Sequence, residues 1–306
     1  MAQRTATRPD AMPSQQQSNL LLGAGLMTLA FLMNTTQSSI SKVVRDELGG
    51  PQFALHVFSF ALLILFPIVV WRRGQDFKTQ VLRLHLLRGL VGGVGFLLFF
   101  TSVQLVDLVN ATVVLNTAPI LIPLIAWLAL GQEISRGLWV AIAVGFLGLI
   151  TVVQPSPSLF SQPGILLAFA GAIAGSVEFL MVRRLDESEP ALTQVLYYLM
   201  VSFVLAFAAS VRQLRMPSPT VWLWMVGAAI AILSFQFLLV RAISYAEPHQ
   251  LGVFQYTSVI FSAIIGWAFF NEIPGLVVMG GIALVCAGGV AAVVLEDGPN
   301  EEGAGQ

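Results

Sequence analysis

The residues of this 306-residue chain that could do chemistry are polar side chains set inside apolar runs. The first run carries Asn34-Thr35-Thr36-Gln37-Ser38-Ser39, then Ser41 and Lys42. Asn34, Gln37 and Ser41 lie three or four apart, so they share one helix face. Two readings stand for that face: it lines a wet cavity and binds a solute's polar groups, or it hydrogen-bonds a neighbouring helix. Lys42 is expected to extend its ammonium to the outer interface. His56, about one turn into the second run, can donate to a carboxylate or change protonation near neutral pH. Otherwise it is an interfacial histidine satisfied by a neighbour or water. Glu178, just before Arg183 and Arg184, can hold a substrate amine or a proton, or pair with a basic side chain near the inner surface.

The fourth run holds Asn110, Asn116 and Thr117, with Pro119 and Pro123 beyond them. Each proline removes a backbone donor and frees a carbonyl. Such carbonyls need a neighbour or a cavity. The ninth run has Gln255, Tyr256, Thr257 and Ser258 without proline, and the eighth has Gln236 between Phe235 and Phe237. Tyr197 and Tyr198 mark the seventh. Trp222 and Trp224 suit an interface belt. The candidate substrate-binding residues are therefore Asn34, Gln37, His56, Asn116, Glu178, Gln236 and Tyr256. Three scattered histidines and the single Cys286 give no metal cluster and no intrachain disulfide, so neither metal nor cofactor is expected. No nucleotide-binding loop has the needed strand-to-helix context. No nucleophile–base pair suggests an enzyme.

Composition says where these residues must sit. Apolar residues make up 57% and charged residues 10% of the chain, against about 45–50% and about 25% in soluble domains. Mean hydropathy is +0.83. Too little charge is available to cover a soluble body, and a net charge of −1 leaves no basic face for nucleic acid. A membrane helix needs about 20 apolar residues. Ten such segments are predicted at 19–41, 52–71, 87–106, 110–130, 136–154, 164–182, 192–211, 220–240, 250–270 and 275–294. Strands are excluded because the alternation of a barrel is missing and an open sheet cannot be satisfied in lipid. The fold expected is an all-α polytopic membrane protein.

With the N-terminus inside, eleven basic residues fall on the cytoplasmic side (Arg88 among them) and four outside: Lys42, Arg45, Arg212 and Arg215. The positive-inside rule then puts both termini in the cytoplasm. Residues 1–18 read as a disordered cytoplasmic N-terminus and 295–306 as a cytoplasmic tail. Shifting the chain by 140 residues lays Thr117 on Thr257, Ile120 on Ile260, Ile125 on Ile265 and Trp127 on Trp267. The fourth and fifth segments fall on the ninth and tenth. Five intervening helices give the second copy the opposite orientation, the inverted-repeat logic of alternating access. The repeats are placed at 19–154 and 164–294.

Residues 81–134 resemble the EamA-type transporters of the drug/metabolite transporter superfamily. The features are Arg88-Gly89, Ala111, Thr117-Ala118-Pro119-Ile120 and Leu130-Gly131, echoed by Ala246-Glu247, Val259-Ile260 and Asn271-Glu272. The resemblance covers about 19–294. It implies two inverted bundles of five helices with both ends cytoplasmic. Two departures stand out: Gln132 where a glutamate commonly follows the glycine, and Asn271 in place of the second glycine. Bacterial amino acid exporters, aromatic ones especially, are similar in general character. The expected function is secondary transport in the cell inner membrane, with a lipid bilayer around it and a small organic solute as partner. Amino acid export comes first. Proton-coupled export of drugs or organic cations is the alternative, with His56 or Glu178 carrying the proton; a channel or membrane enzyme ranks lower.

Overall fold

The structure is a computed structural model that describes residues 14–130, 136–153, 162–245, 251 and 253–296. Eleven α-helices account for nearly all of it: α1 (Ser14–Val43), α2 (Gly50–Trp71), α3 (Leu82–Leu105), α4 (Leu108–Leu115), α5 (Ala118–Leu130), α6 (Arg136–Val153), α7 (Pro163–Asp186), α8 (Ala191–Ser210), α9 (Pro219–Ile243), α10 (Thr257–Phe270) and α11 (Leu276–Glu296). Proline stands in the first turn of α2, α7 and α9, where its missing N–H costs nothing. Among the described residues, α2, α3, α7, α8 and α9 are long and apolar enough to cross a membrane. Leu63, Phe66, Trp71, Leu223, Trp267 and Phe269 are exposed on the outside. A soluble protein does not display so much apolar surface; a lipid-facing one must. The chain is an all-α, multi-pass membrane protein. Gly131, Gln132, Ala246-Glu247 and both extreme termini lie outside the described residues.

Helices from the two halves of the chain pack on each other. α3 lies along α7, α1 along α9 and α6 along α11, while α8 seats against α2 and α3. Small residues allow the closest approach. A Cβ on Gly95 would sit 3.1 Å from Ala174 Cβ, and one on Gly171 would sit 3.3 Å from the Gly95 carbonyl oxygen.

The fourth and ninth segments are not continuous helices. α4 stops at Leu115 and α5 restarts at Ala118. Pro119, second in α5, has no N–H for the Leu115 carbonyl. In the ninth segment a 3₁₀ turn, Val253–Tyr256, precedes α10. Hydroxyls and an amide close the loose ends. Thr117 Oγ1 donates to Val114 O at 2.8 Å and Thr257 Oγ1 to Phe254 O at 2.6 Å. Asn116 Nδ2 donates to Thr112 O and to Ser258 Oγ, at 2.7 and 2.8 Å, and so ties the two interruptions together. Ser258 in turn donates to Gln255 O.

α1 begins at Ser14 and α3 at Leu82, both five residues ahead of the expected segments. The second shift matters for function. It puts Arg88 six residues inside its helix, about 9 Å deep at 1.5 Å per residue. Arg88 is 1% exposed, which removes it from the cytoplasmic surface charges. Lys42 is also a correction. Rather than reaching outward, it is buried and paired with Glu272, because a desolvated ammonium is held best by a carboxylate.

Candidate functional site

A cavity of about 100 Å³ lies where α1, α3, α7, α8 and α9 converge. Both interrupted segments border it, through Leu115 and Ala118 on one side and Gln255 on the other. Much of its wall is aromatic. Phe96 and Phe100 stack with centroids 4.1 Å apart, Phe99 meets Phe100 edge-on at 5.2 Å, and Phe31 meets Phe235 edge-on at 5.7 Å. Asn34, Gln236, Gln255 and Glu178 supply the polar wall, with Tyr198 beside them.

Behind Glu178 sits Arg88, and this pair organises the polar end. The guanidinium donates through Nη1 to Gln194 O at 3.0 Å and through Nη2 to Gln236 Oε1 at 2.8 Å. Nη2 also lies 3.3 Å from Glu178 Oε1, and the guanidinium carbon is 5.3 Å from the centre of the Tyr198 ring. Four helices therefore converge on one arginine: α3 carries it, α7 its carboxylate, α8 a carbonyl and a ring, α9 an amide. Gly92, one turn after Arg88, makes room. A Cβ there would lie 2.7 Å from both Glu178 Cδ and Tyr198 Cε2. Glu178 reaches the cavity while Arg88 is not on its wall.

The seven residues expected to bind solute divide into two groups. Asn34, Glu178 and Gln236 come together on the cavity. The other four lie off its wall. Gln37 is fully buried one turn from Asn34, and neither amide atom has a partner. His56 is half-buried, with Nδ1 2.7 Å from Gln52 O and its ring edge-on to Trp222 at 5.3 Å. Asn116 is spent on joining the interruptions. Tyr256 is buried with Val109, Val113 and Val259, toward Val278, Ile282 and Cys286. Its neighbour Gln255 faces the cavity instead. The dense polar run of α1 is largely self-satisfied: Thr35, Thr36, Ser38 and Ser39 each donate to the carbonyl four residues back. Glu178 pairs with Arg88, not with Arg183 or Arg184 at the end of its own helix. Sequence reasoning missed Arg88 as a site residue. The usable signal was an earlier start for α3, which would have placed the arginine inside the bundle.

A second ionic cluster occupies one end of the bundle. Lys42 Nζ pairs with Glu272, donates to Val106 O at 3.1 Å and lies 5.5 Å from the centre of the Phe270 ring. Glu272 Oε2 accepts the Leu108 N–H at 3.0 Å. Asn271 ends α10 in the left-handed region, at φ 55° and ψ 30°. The Glu272 N–H then returns to Gly266 O at 3.0 Å, which aims the carboxylate at Lys42. Asparagine tolerates that conformation as glycine does, which accounts for the departure noted at this position.

Comparison with known proteins agrees with this architecture. The pattern of the EamA-like transporter family matches twice, at residues 21–154 and 162–294. An S-adenosylmethionine uptake transporter of Rickettsia bellii is 24% identical over 266 residues, 86% of this chain and 90% of that protein. The pseudopaline exporter CntI of Pseudomonas aeruginosa is 26% identical over 276 residues, 87% and 95% of the two chains. A riboflavin transporter of Vibrio cholerae is 24% identical over 259 residues, 83% and 87%. A solved crystal structure superposes with a TM-score of 0.64 at 18% identity, covering 91% of this chain and 97% of its own, a likeness of fold. With the family pattern spanning nearly the whole chain in two copies, the protein belongs to the EamA-like transporter family.

Proposed function

We propose that this transporter carries small amphipathic metabolites through the cavity between α1, α3, α7, α8 and α9, with export of amino acids, aromatic ones included, as the most specific reading. The observation that carries it is the division of that cavity into a polar end (Glu178, Gln236, Asn34) and a phenylalanine wall. Such a site matches a solute with a polar head and an apolar body. Transport of chemically different small molecules by the named relatives supports the class and leaves the solute open. Organic cations are the second reading, favoured by Glu178 on the wall. A counterflow screen in proteoliposomes across amino acids, organic cations, polyamines, sugars and nucleosides tests both. Saturable, competed counterflow of amino acids or amines is expected. Signal from sugars or nucleosides alone overturns the substrate reading, and unsaturable ion-like flux overturns the carrier.

The same reading takes ten spans as two inverted five-helix repeats with both termini cytoplasmic, in the inner membrane. Two matches to one family pattern support it, as do interruptions at 116–117 and 256–257, 140 residues apart. The pairing of α3 with α7 and of α9 with α1 is also what a two-fold relation between halves would generate. Single cysteines at 76 and 158 in a Cys286-free chain should label from the cytoplasm and from outside, respectively. The reverse pattern, or labelling from one side, refutes this topology.

A further inference from the structure

We infer that the cavity selects its solute by charge sign: it takes an organic cation on a flat apolar body, and it disfavours any solute that brings a carboxylate. This rests on the carrier reading above and decides between its two substrate readings, favouring organic cations over amino acids, whose carboxylate would face Glu178.

Among the described residues that line the cavity, Glu178 is the only charged side chain. Its side chain is 13% exposed, while that of Arg88 is 1% exposed. The pair is thus a dipole whose negative end borders the cavity. Arg88 is not on the cavity wall and so is not placed to greet an anion. Its Nη groups already serve Gln194 O, Gln236 Oε1 and Glu178, and Tyr198 lies beside its guanidinium. To reach a solute carboxylate it would have to leave these partners and strand Glu178 as an unpaired buried charge.

The wall supplies the place for an apolar body: Phe96, Phe99, Phe100 and Phe235 line the space beside Glu178. An ammonium there meets the Glu178 carboxylate; a solute carboxylate meets repulsion from it. The buried Gln236 Nε2 has no partner. It supplies one neutral donor, suited to a hydroxyl or carbonyl on the solute. The volume of about 100 Å³ is on the scale of a single aromatic ring, since an engineered cavity of about 150 Å³ holds benzene.

Three probes share one body and differ in charge: 2-phenylethylamine, phenylalanine and 3-phenylpropionate. Binding of labelled 2-phenylethylamine to the purified full chain, with the other two as competitors, gives the ranking. Phenylalanine, which keeps the ammonium and adds a carboxylate, should compete about tenfold more weakly than unlabelled amine, about 1.4 kcal/mol of like-charge repulsion from Glu178. 3-Phenylpropionate should not compete. Glu178→Gln should bring the amine and phenylalanine to within about twofold of each other. The proposal is overturned if 3-phenylpropionate or phenylalanine competes as well as the amine, if the amine does not bind, or if Glu178→Gln keeps the ranking. The wild-type series decides the matter even if that variant does not fold. Saturable counterflow of some other solute without amine binding overturns the charge rule alone, whereas absence of any saturable counterflow overturns the carrier reading.

Discussion

Arg88–Glu178 and Lys42–Glu272 are both buried ion pairs that join the halves of this transporter, and they are built differently. Arg88–Glu178 lies within the bundle, its cation sealed and its carboxylate on a cavity. Lys42–Glu272 lies at the end of α1, beside an open polar recess lined by Arg45, Asp107 and Asn271. The first pair is held by four long helices, through the Gln194 carbonyl, the Gln236 amide and the Tyr198 ring. The second is assembled from helix ends, with a backbone N–H and a backbone carbonyl among its partners. The difference separates a pair that borders a cavity from one that ties ends together.

Removing the cation of the first pair should have the largest effect. Arg88→Met leaves Glu178 unpaired and should cost about 3–5 kcal/mol of stability, read as a fall in melting temperature of the purified protein. Adding Glu178→Gln to that variant should restore part of the loss. Equal stability of the single and double variants would show that the two residues are not energetically coupled. A smaller loss, about 1.5–3 kcal/mol, is expected for Glu272→Gln, which removes a charge-assisted bond to Lys42. That variant should keep the wild-type ranking of amine over phenylalanine, because Glu272 is off the cavity wall. An altered ranking would erase the distinction drawn between the pairs. Smallest of all should be Lys42→Met combined with Glu272→Leu. Apolar replacement of a whole buried pair is often close to neutral, so a loss under about 1 kcal/mol is expected.

Part of the site was legible before any coordinates. Glu178, Gln236 and Asn34 stood out because polar groups inside apolar segments are costly and must be used. The interruption of the fourth segment was legible in Pro119. Other residues with the same signature had different fates. Asn116 serves Ser258, and the hydroxyls of α1 serve their own backbone. Nothing in composition distinguishes an amide that meets a solute from one that meets a serine 142 residues away. Arg88 was misjudged for another reason: its depth depends on where α3 starts, and a polar stretch such as residues 78–85 does not mark that start by hydropathy.

The sequence alone determined that this is a helical membrane protein, where its apolar segments run, that prolines disturb the fourth of them, and how few charges must do the polar work. Local chemistry suffices for these, since apolar length, proline and hydroxyl positions act within one segment. Only the tertiary structure decided which polar groups share a space. In a soluble helix an apolar stripe against a polar face reveals the inward side. Here lipid and protein interior are both apolar, so the helices carry no such stripe. Rotation and depth are then settled by close packing at glycines such as Gly92 and by the few pairs, Arg88–Glu178 foremost, that the bundle has to enclose.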